Sequence, residues 1–388
     1  MTATISSIET FIVSLPRDVP YLGPLAADET VNAKGYFVRK GNRTVYPATD
    51  MSVLVKATAS DGTIGWGETY GVAAPQAVVA LIDDLLAPFV IGRDPHDAKT
   101  IWQDLYDMQR VRGASGGYYG DALAGIDIAL CDLVCHIEGV SLSEWLGGRN
   151  VERIPAYVSG LPKATLDERL ELARRFVNDG YTAIKYAAPA ASDGIVTEMR
   201  ALRTGLGAEV ELMVDLHWKF NARAALALIR ELAPFRPRFI EAPCAPEDIA
   251  GLAEVAAASP IPIAVGEEWR NVYEAKLRFD NVRIGVVQPE MGHTGVAQFM
   301  AIARVAKAHR ATVIPHATVG VGIFLAASLH ATAALGSKSM HEYQHSVFDR
   351  NLHFVDTTMR CEAGYYHVPA GPGHGVVPLA ELMQFVRR

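Results

Sequence analysis

From about Pro155 onward, short runs rich in β-branched and apolar residues alternate with amphipathic stretches, the pattern of βα units that feed a parallel sheet. The runs are Ala156–Ser159, Ala183–Ala187, Leu212–His217, Phe239–Ala242, Ile263–Glu267, Ile284–Glu290, Thr312–His316 and Met340–Tyr343. Between them, Thr165–Asn178, Ala222–Ala233, Ile249–Ala258 and Val296–His309 repeat apolar residues at helical spacing over three turns or so. Eight strands joined by such helices close most economically into a (β/α)8-type barrel. An open doubly wound sheet is the alternative, but no GxGxxG follows the first run and opens a helix.

The first 120 residues follow a different pattern. Ile5–Leu15, Met51–Ala57 and Thr63–Glu68 read as a strand meander with a turn at Asp61-Gly62, and Ala77–Leu86 and Ala98–Met108 read as helices. Strands followed by helices predict a separate α+β domain. Between the first two strands, Asp18–Ala48 is long, rich in Gly, Pro and Tyr, and without a period; it reads as a lid or binding loop, or as plain disorder. The tail beyond Asp356 is too long for one more barrel helix and is expected to pack back on the first domain. The expected division is 1–125, 126–355 and 356–388.

Composition narrows the class. Half of the 388 residues are apolar and a fifth are charged, so a large core is affordable and a disordered or collagen-like chain is excluded. The net charge is −7 with no basic cluster, which leaves nucleic acid without an electrostatic footprint. Four cysteines are too few for a disulfide scaffold, and a reducing cytoplasm fits; Cys131 and Cys135 read as buried thiols, since no second CxxC or His pair completes a metal site. Met1–Arg17 lacks the charged and apolar segments of a signal peptide. The longest apolar stretch, Val319–Leu335, carries Ser328, His330 and Thr332 and falls short of a bilayer span, so it reads as a buried helix and no membrane partner is expected.

In a parallel barrel the chemistry gathers at the C-terminal ends of the strands, where the loops converge. Three successive runs close on a carboxylate there: Asp215, Glu241 and Glu267, each 26 residues from the next. That recurrence predicts equivalent heights on neighbouring strands and convergence on one volume. Three close carboxylates repel unless a cation neutralises them, and all-oxygen ligation suits Mg²⁺. Taken singly, each acid could as well cap a helix or pair with an arginine. The other strand ends add Lys185 on strand two, His217 two residues past Asp215, Glu290 on strand six, His316 after strand seven and Glu342 on strand eight. Glu290 and His316 are again 26 residues apart, which sets a carboxylate beside a histidine. A carboxylate on one ring nitrogen fixes the tautomer and raises the basicity of the other, the arrangement of a general base. By itself His316 reads equally as a satisfied core histidine.

These residues and several motifs resemble the enolase superfamily, mandelate racemase subgroup, and within it the galactonate dehydratase type of acid-sugar dehydratases. The motifs are Gly62-Thr63-Ile64-Gly65-Trp66-Gly67-Glu68, Ala124-Gly125-Ile126-Asp127-Ile128-Ala129-Leu130-Cys131-Asp132 leading to Leu146-Gly147-Gly148, Val265-Gly266-Glu267 and Val287-Gln288-Pro289-Glu290. The resemblance covers nearly the whole chain. It implies an α+β capping domain with lid loops, completed by the C-terminal tail, over a modified (β/α)7β barrel. It implies Mg²⁺ on Asp215, Glu241 and Glu267, with Lys185 adding a second positive charge at the enediolate and Glu342 near the same substrate carboxylate. Strand two reads Lys185-Tyr186-Ala187, so the second lysine of the racemases is missing, whereas Asp215-x-His217 matches the dehydratase pattern in which the histidine protonates the leaving hydroxyl. Glu290 stands where the dyad partner is usually Asp, so either His316 shifts to meet the longer side chain or the dyad weakens.

The expected activity is therefore elimination of water from an aldonate or aldarate to a 2-keto-3-deoxy acid, with His316 as base and His217 as acid. The alternative is an epimerase, racemase or cycloisomerase using the same enolate. Tyr21, Tyr36, Arg39, Tyr70, Trp218, Lys219, Trp269 and Arg270 are the residues expected to read the distal hydroxyls of the sugar acid, unless they are surface or packing residues. The resemblance further implies a symmetric homo-oligomer, such as an octamer.

Overall fold

The computed structural model describes residues 3–148, 151–336 and 340–387. Eight parallel strands, Arg153–Ser159, Ala183–Ala187, Glu211–Asp215, Ile240–Glu241, Ile263–Val265, Val286–Val287, Thr312–Val313 and His341–Tyr343, are barrel strands one to eight. Each of the first six pairs with the next, and strand eight returns to pair with strand one, Glu342 opposite Tyr157. Among the described residues no ladder joins strands seven and eight, so the ring has one seam there. A helix follows each of the first seven strands, which makes the barrel (β/α)7β. Polar residues at the βα turns start these helices. Thr165 and Glu168 form a reciprocal capping box, and Asn221, Asp248 and Asn271 each accept a first-turn amide.

Side chains alternate along a strand, and this parity builds the site. Tyr157, Ala183, Met213, Phe239, Ala264, Val286 and Ile314 point inward and pack as one buried apolar cluster, with Met340 against it. Two residues further along the same alternation stand Ser159, Lys185, Asp215, Glu241, Gln288, His316 and Glu342. A polar layer therefore rests on a dry apolar floor at the mouth.

Above the mouth lies the capping domain, an antiparallel sheet in the order Val386–Arg387, Ile5–Leu15, Asp50–Ala59, Ile64–Tyr70. Helix Gly117–Glu138 packs across it, so the expected division at 125/126 falls within one continuous helix. Gly67 permits that contact, since a Cβ there would run into the backbone of Gly125 and Ala129. The tail serves both domains. Its last strand completes the capping sheet, as expected, but Tyr365–His367 pairs with the start of barrel strand one. Within Asp18–Ala48, Tyr36–Arg39 and Thr44–Pro47 pair as a hairpin. Cys131 and Cys135 are buried free thiols, and Ile323–Leu335 is a buried helix. No helix among the described residues is long and apolar enough to cross a membrane.

Candidate active site

The polar layer opens into a cavity of about 400 Å³ between the barrel mouth and the capping domain. Its walls include Lys185, Asp215, His217, Trp218, Glu267, His316 and Glu342 from the barrel and Tyr21 and Tyr70 from the cap. Lys185 lies buried between two carboxylates, with Nζ 2.6 Å from Glu241 and 2.9 Å from Glu342. Burial would lower the Lys185 ammonium, but the two carboxylates outweigh it and raise it well above its ordinary value. Glu342 is held down at about 2, burial being overcome by Lys185 and His316. It also accepts the Ala317 amide at 3.0 Å.

His316 and Glu290 meet as the spacing predicts. They form an isolated parallel bridge beyond the ladder, and His316 Nδ1 lies 2.7 Å from Glu290 Oε2. Glu290 caps helix Met291–Ala308 through the Gly292 amide, while its other oxygen also accepts the Thr318 amide at 2.9 Å and the Tyr70 hydroxyl at 3.3 Å. Its longer side chain reaches the imidazole without loosening the pair. His316 Nε2 faces Glu267 at 3.2 Å. Burial would lower this imidazole, yet Glu267, Glu342 and Glu290 raise it well above its usual range.

The three acids depart from the expected common height. The ladder pairs Asp215 with Glu241 but Glu241 with Ala264, so Glu267 stands three residues higher. Strand five ends at Val265 and Gly266 turns the chain at φ +118°, which brings Glu267 into the cavity despite its strand parity. Each acid has turned to a base: Asp215 to His217 at 2.6 Å, Glu241 to Lys185 and Glu267 to His316. Accordingly, no group of three acidic, histidine or cysteine side chains among the described residues is drawn together as a metal cage. The residues nevertheless fit a hard divalent cation. They offer only oxygen donors, three basic side chains now stand where its charge would be, and Glu241 Oε1 is buried without a hydrogen-bond partner. Burial raises both Glu241 and Glu267 above the usual carboxylate range, whereas His217 draws Asp215 below it against its burial.

His217 is not on the strand. Strand three ends at Asp215, and His217 and Trp218 take left-handed backbone at φ +48° and +52°, a conformation that costs a non-glycine residue about 1 kcal/mol. This turn folds the imidazole back onto Asp215, with Asn42 of the lid 3.3 Å from its Nδ1. Four expected substrate contacts lie elsewhere. Arg39 is buried and ties the lid together through Glu29 at 2.7 Å and the carbonyls of Tyr21 and Pro24. The Tyr36 hydroxyl accepts the Ala74 amide. Trp269 is 1% exposed and packs against Phe279 below the mouth. Lys219 is exposed outside the cavity.

Conversely, Gln344 lines the cavity and donates to Tyr21 at 3.2 Å. Its position two residues beyond Glu342 was a readable signal. Arg17, Tyr46, Asp121, His293 and Thr318 also line the cavity, from segments with no shared period.

Comparison with known proteins places this capped barrel. Residues 168–382 match the family described as enolase C-terminal domain-like, and residues 42–147 match the mandelate racemase / muconate lactonizing enzyme N-terminal domain. The chain belongs to the enolase superfamily, whose members are Mg²⁺-binding enzymes. It is 31% identical to a D-galactarolactone cycloisomerase of Agrobacterium fabrum, over 84% of this chain and 88% of that one. It is 30% identical to a D-galactonate dehydratase of Ralstonia nicotianae, over 86% and 90%. Among solved structures, an enolase-superfamily member from Agrobacterium tumefaciens matches at 51% identity and TM-score 0.97 over 100% of both chains. A racemase of Streptomyces coelicolor A3(2) with bound magnesium matches at 25% identity and TM-score 0.84, over 99% of this chain and 100% of that one.

Proposed function

We propose that this enzyme is a Mg²⁺-dependent dehydratase of a sugar acid. The observation that carries the reading is His316 held by Glu290 at 2.7 Å, with its second nitrogen turned into the acid layer beside buried Lys185. Asp215, Glu241 and Glu267 would hold the ion, which supplies concentrated positive charge for the substrate carboxylate as its α-proton becomes acidic. His316 Nε2 takes the C2 proton while Glu290 stabilises the resulting imidazolium. Lys185 provides a fixed ammonium for the enediolate oxygen, its own position set by Glu241 and Glu342. His217 then gives a proton to the C3 hydroxyl as the C3–O bond breaks, and the enol tautomerises to the 2-keto-3-deoxy acid. Ala187, in place of a second strand-two lysine, leaves that position without a base, which favours elimination over racemisation.

A cycloisomerase or epimerase is the second reading. It is supported by the galactarolactone cycloisomerase likeness and by His217, whose two nitrogens already face Asp215 and Asn42. Incubation with Mg²⁺ and an acid-sugar library in D2O separates the two. Dehydration yields a 2-keto acid, whereas deuterium at C2 without water loss supports the second reading. His316→Asn is expected to lower C2-proton exchange by at least about 100-fold, and full exchange in that variant would remove His316 as the base.

A further inference from the structure

The cavity holds a second polar cluster across the ring from Lys185. The loops after strands five and six lie opposite strands one and two in an eight-strand barrel. Arg270 follows strand five, His293 opens the helix after strand six, and Asp121 comes from the capping helix; all three line the cavity. His293 Nδ1 lies 2.6 Å from Asp121 Oδ1, and Arg270 Nε donates to that same oxygen at 3.1 Å. Arg270 Nη1 donates to the Glu268 carbonyl at 2.6 Å. The Tyr70 ring lies against the imidazole, tilted by 31° with centroids 3.7 Å apart. Two polar atoms are left over. Among the described residues neither Arg270 Nη2 nor His293 Nε2 has a protein partner, although His293 is 8% exposed. Both side chains line the cavity and keep some exposure there, 20% for Arg270 and 10% for His293, so a ligand in the cavity can reach these atoms.

Their chemistry specifies a ligand. Asp121 on Nδ1 fixes the proton there, so Nε2 presents a lone pair. Burial, and then the charge of Arg270, keep this imidazole below its ordinary value and thus neutral. The pair offers one cationic donor beside one neutral acceptor. A carboxylate with a hydroxyl on the adjacent carbon complements both, its oxygen on the guanidinium and its O–H toward the imidazole. A fully ionised phosphate ester carries no hydrogen for Nε2, and its two charges exceed the single guanidinium that Asp121 already offsets.

We infer that Arg270 and His293, oriented by Asp121, form a terminal subsite for a 2-hydroxycarboxylate, so that the substrate is a sugar diacid rather than a monoacid. The inference rests on the proposed reading that the acid layer holds the other carboxylate, and the far end of an aldarate repeats the same carboxylate–hydroxyl unit.

The test measures binding apart from turnover. The His316→Asn protein with Mg²⁺ is titrated calorimetrically with every six-carbon aldarate and its matching aldonate. At least one diacid is expected to bind roughly 30-fold or more tightly than its monoacid, the scale of a hydrogen bond to a charged group. Arg270→Met, and separately His293→Phe, should reduce that ratio below about threefold. Should either variant fold poorly, Arg270→Gln and His293→Gln repeat the measurement with a neutral polar side chain kept in place. Absence of diacid preference across the set, or a ratio that survives loss of both side chains, overturns the subsite. Selective diacid binding without 2-keto acid formation by the unmutated enzyme keeps the subsite and removes the dehydratase reading. Dehydration of monoacids without diacid preference does the reverse.

Discussion

Glu68→Gln is expected to gain stability relative to the parent as pH rises from 4.5 through 7. Glu68 sits in the capping sheet, fully buried, and faces the start of the barrel helix Ile323–Leu335. It accepts the amides of Val321 and Ile323 at 2.6 and 3.0 Å and that of Phe324 at 3.4 Å. A carboxylate at a helix N-terminus is ordinarily favoured, but burial wins here and raises the Glu68 carboxyl to about 7 against the pull of those amides. The folded value lies above the unfolded one, so the folded state holds the proton more tightly. The associated stability is complete below pH 4.5 and is lost as pH rises through 7. At 1.36 kcal/mol per unit that interval is worth about 3 kcal/mol. Glutamine cannot ionise and keeps one acceptor oxygen, enough for the Val321 amide or for those of Ile323 and Phe324 but not both, a cost that does not vary with pH. Urea unfolding of both proteins between pH 5 and about 8.5 isolates the effect, since every other titrating group cancels in the difference. The variant should gain about 3 kcal/mol relative to the parent across that range, and a pH-independent difference would refute the reasoning.

Other outcomes follow from the same geometry. His341, buried with Ser328 Oγ 2.8 Å from Nε2, is lowered by burial to about 4; its contribution is full above pH 6.5 and lost as pH falls through 4, about 3 kcal/mol that His341→Gln should remove from the acid limb of a urea-midpoint curve. Gly67→Ala drives a methyl into the backbone of the capping helix and should cost at least about 2 kcal/mol in chemical denaturation. Glu241→Gln removes one charged oxygen donor and should weaken Mg²⁺ binding by more than about tenfold in calorimetry, with the fold unchanged by circular dichroism.

Much of this molecule was legible along the chain because its information is local. Burying one face of a strand or helix fixes a period of 2 or 3.6, so the eight runs, the intervening helices and the meander of the first domain announce themselves. The recurrence of 26 residues likewise brought Glu290 to His316. It did not set Glu267 level with Glu241, because the stagger between strands is decided by packing across the whole barrel and by the turn at Gly266. The same limit explains His217, which reaches Asp215 through a left-handed turn rather than along a strand face. Aromatic and basic residues near strand ends look alike in sequence, yet Trp269 went to the core and Arg39 to the lid's own interior, while Arg270 reached the cavity. Asp121, Arg270 and His293 come from three separate segments, and only the docking of the capping helix onto the barrel mouth makes them neighbours. Contacts of that kind depend on the summed burial of surfaces far apart in the chain, which no local period encodes.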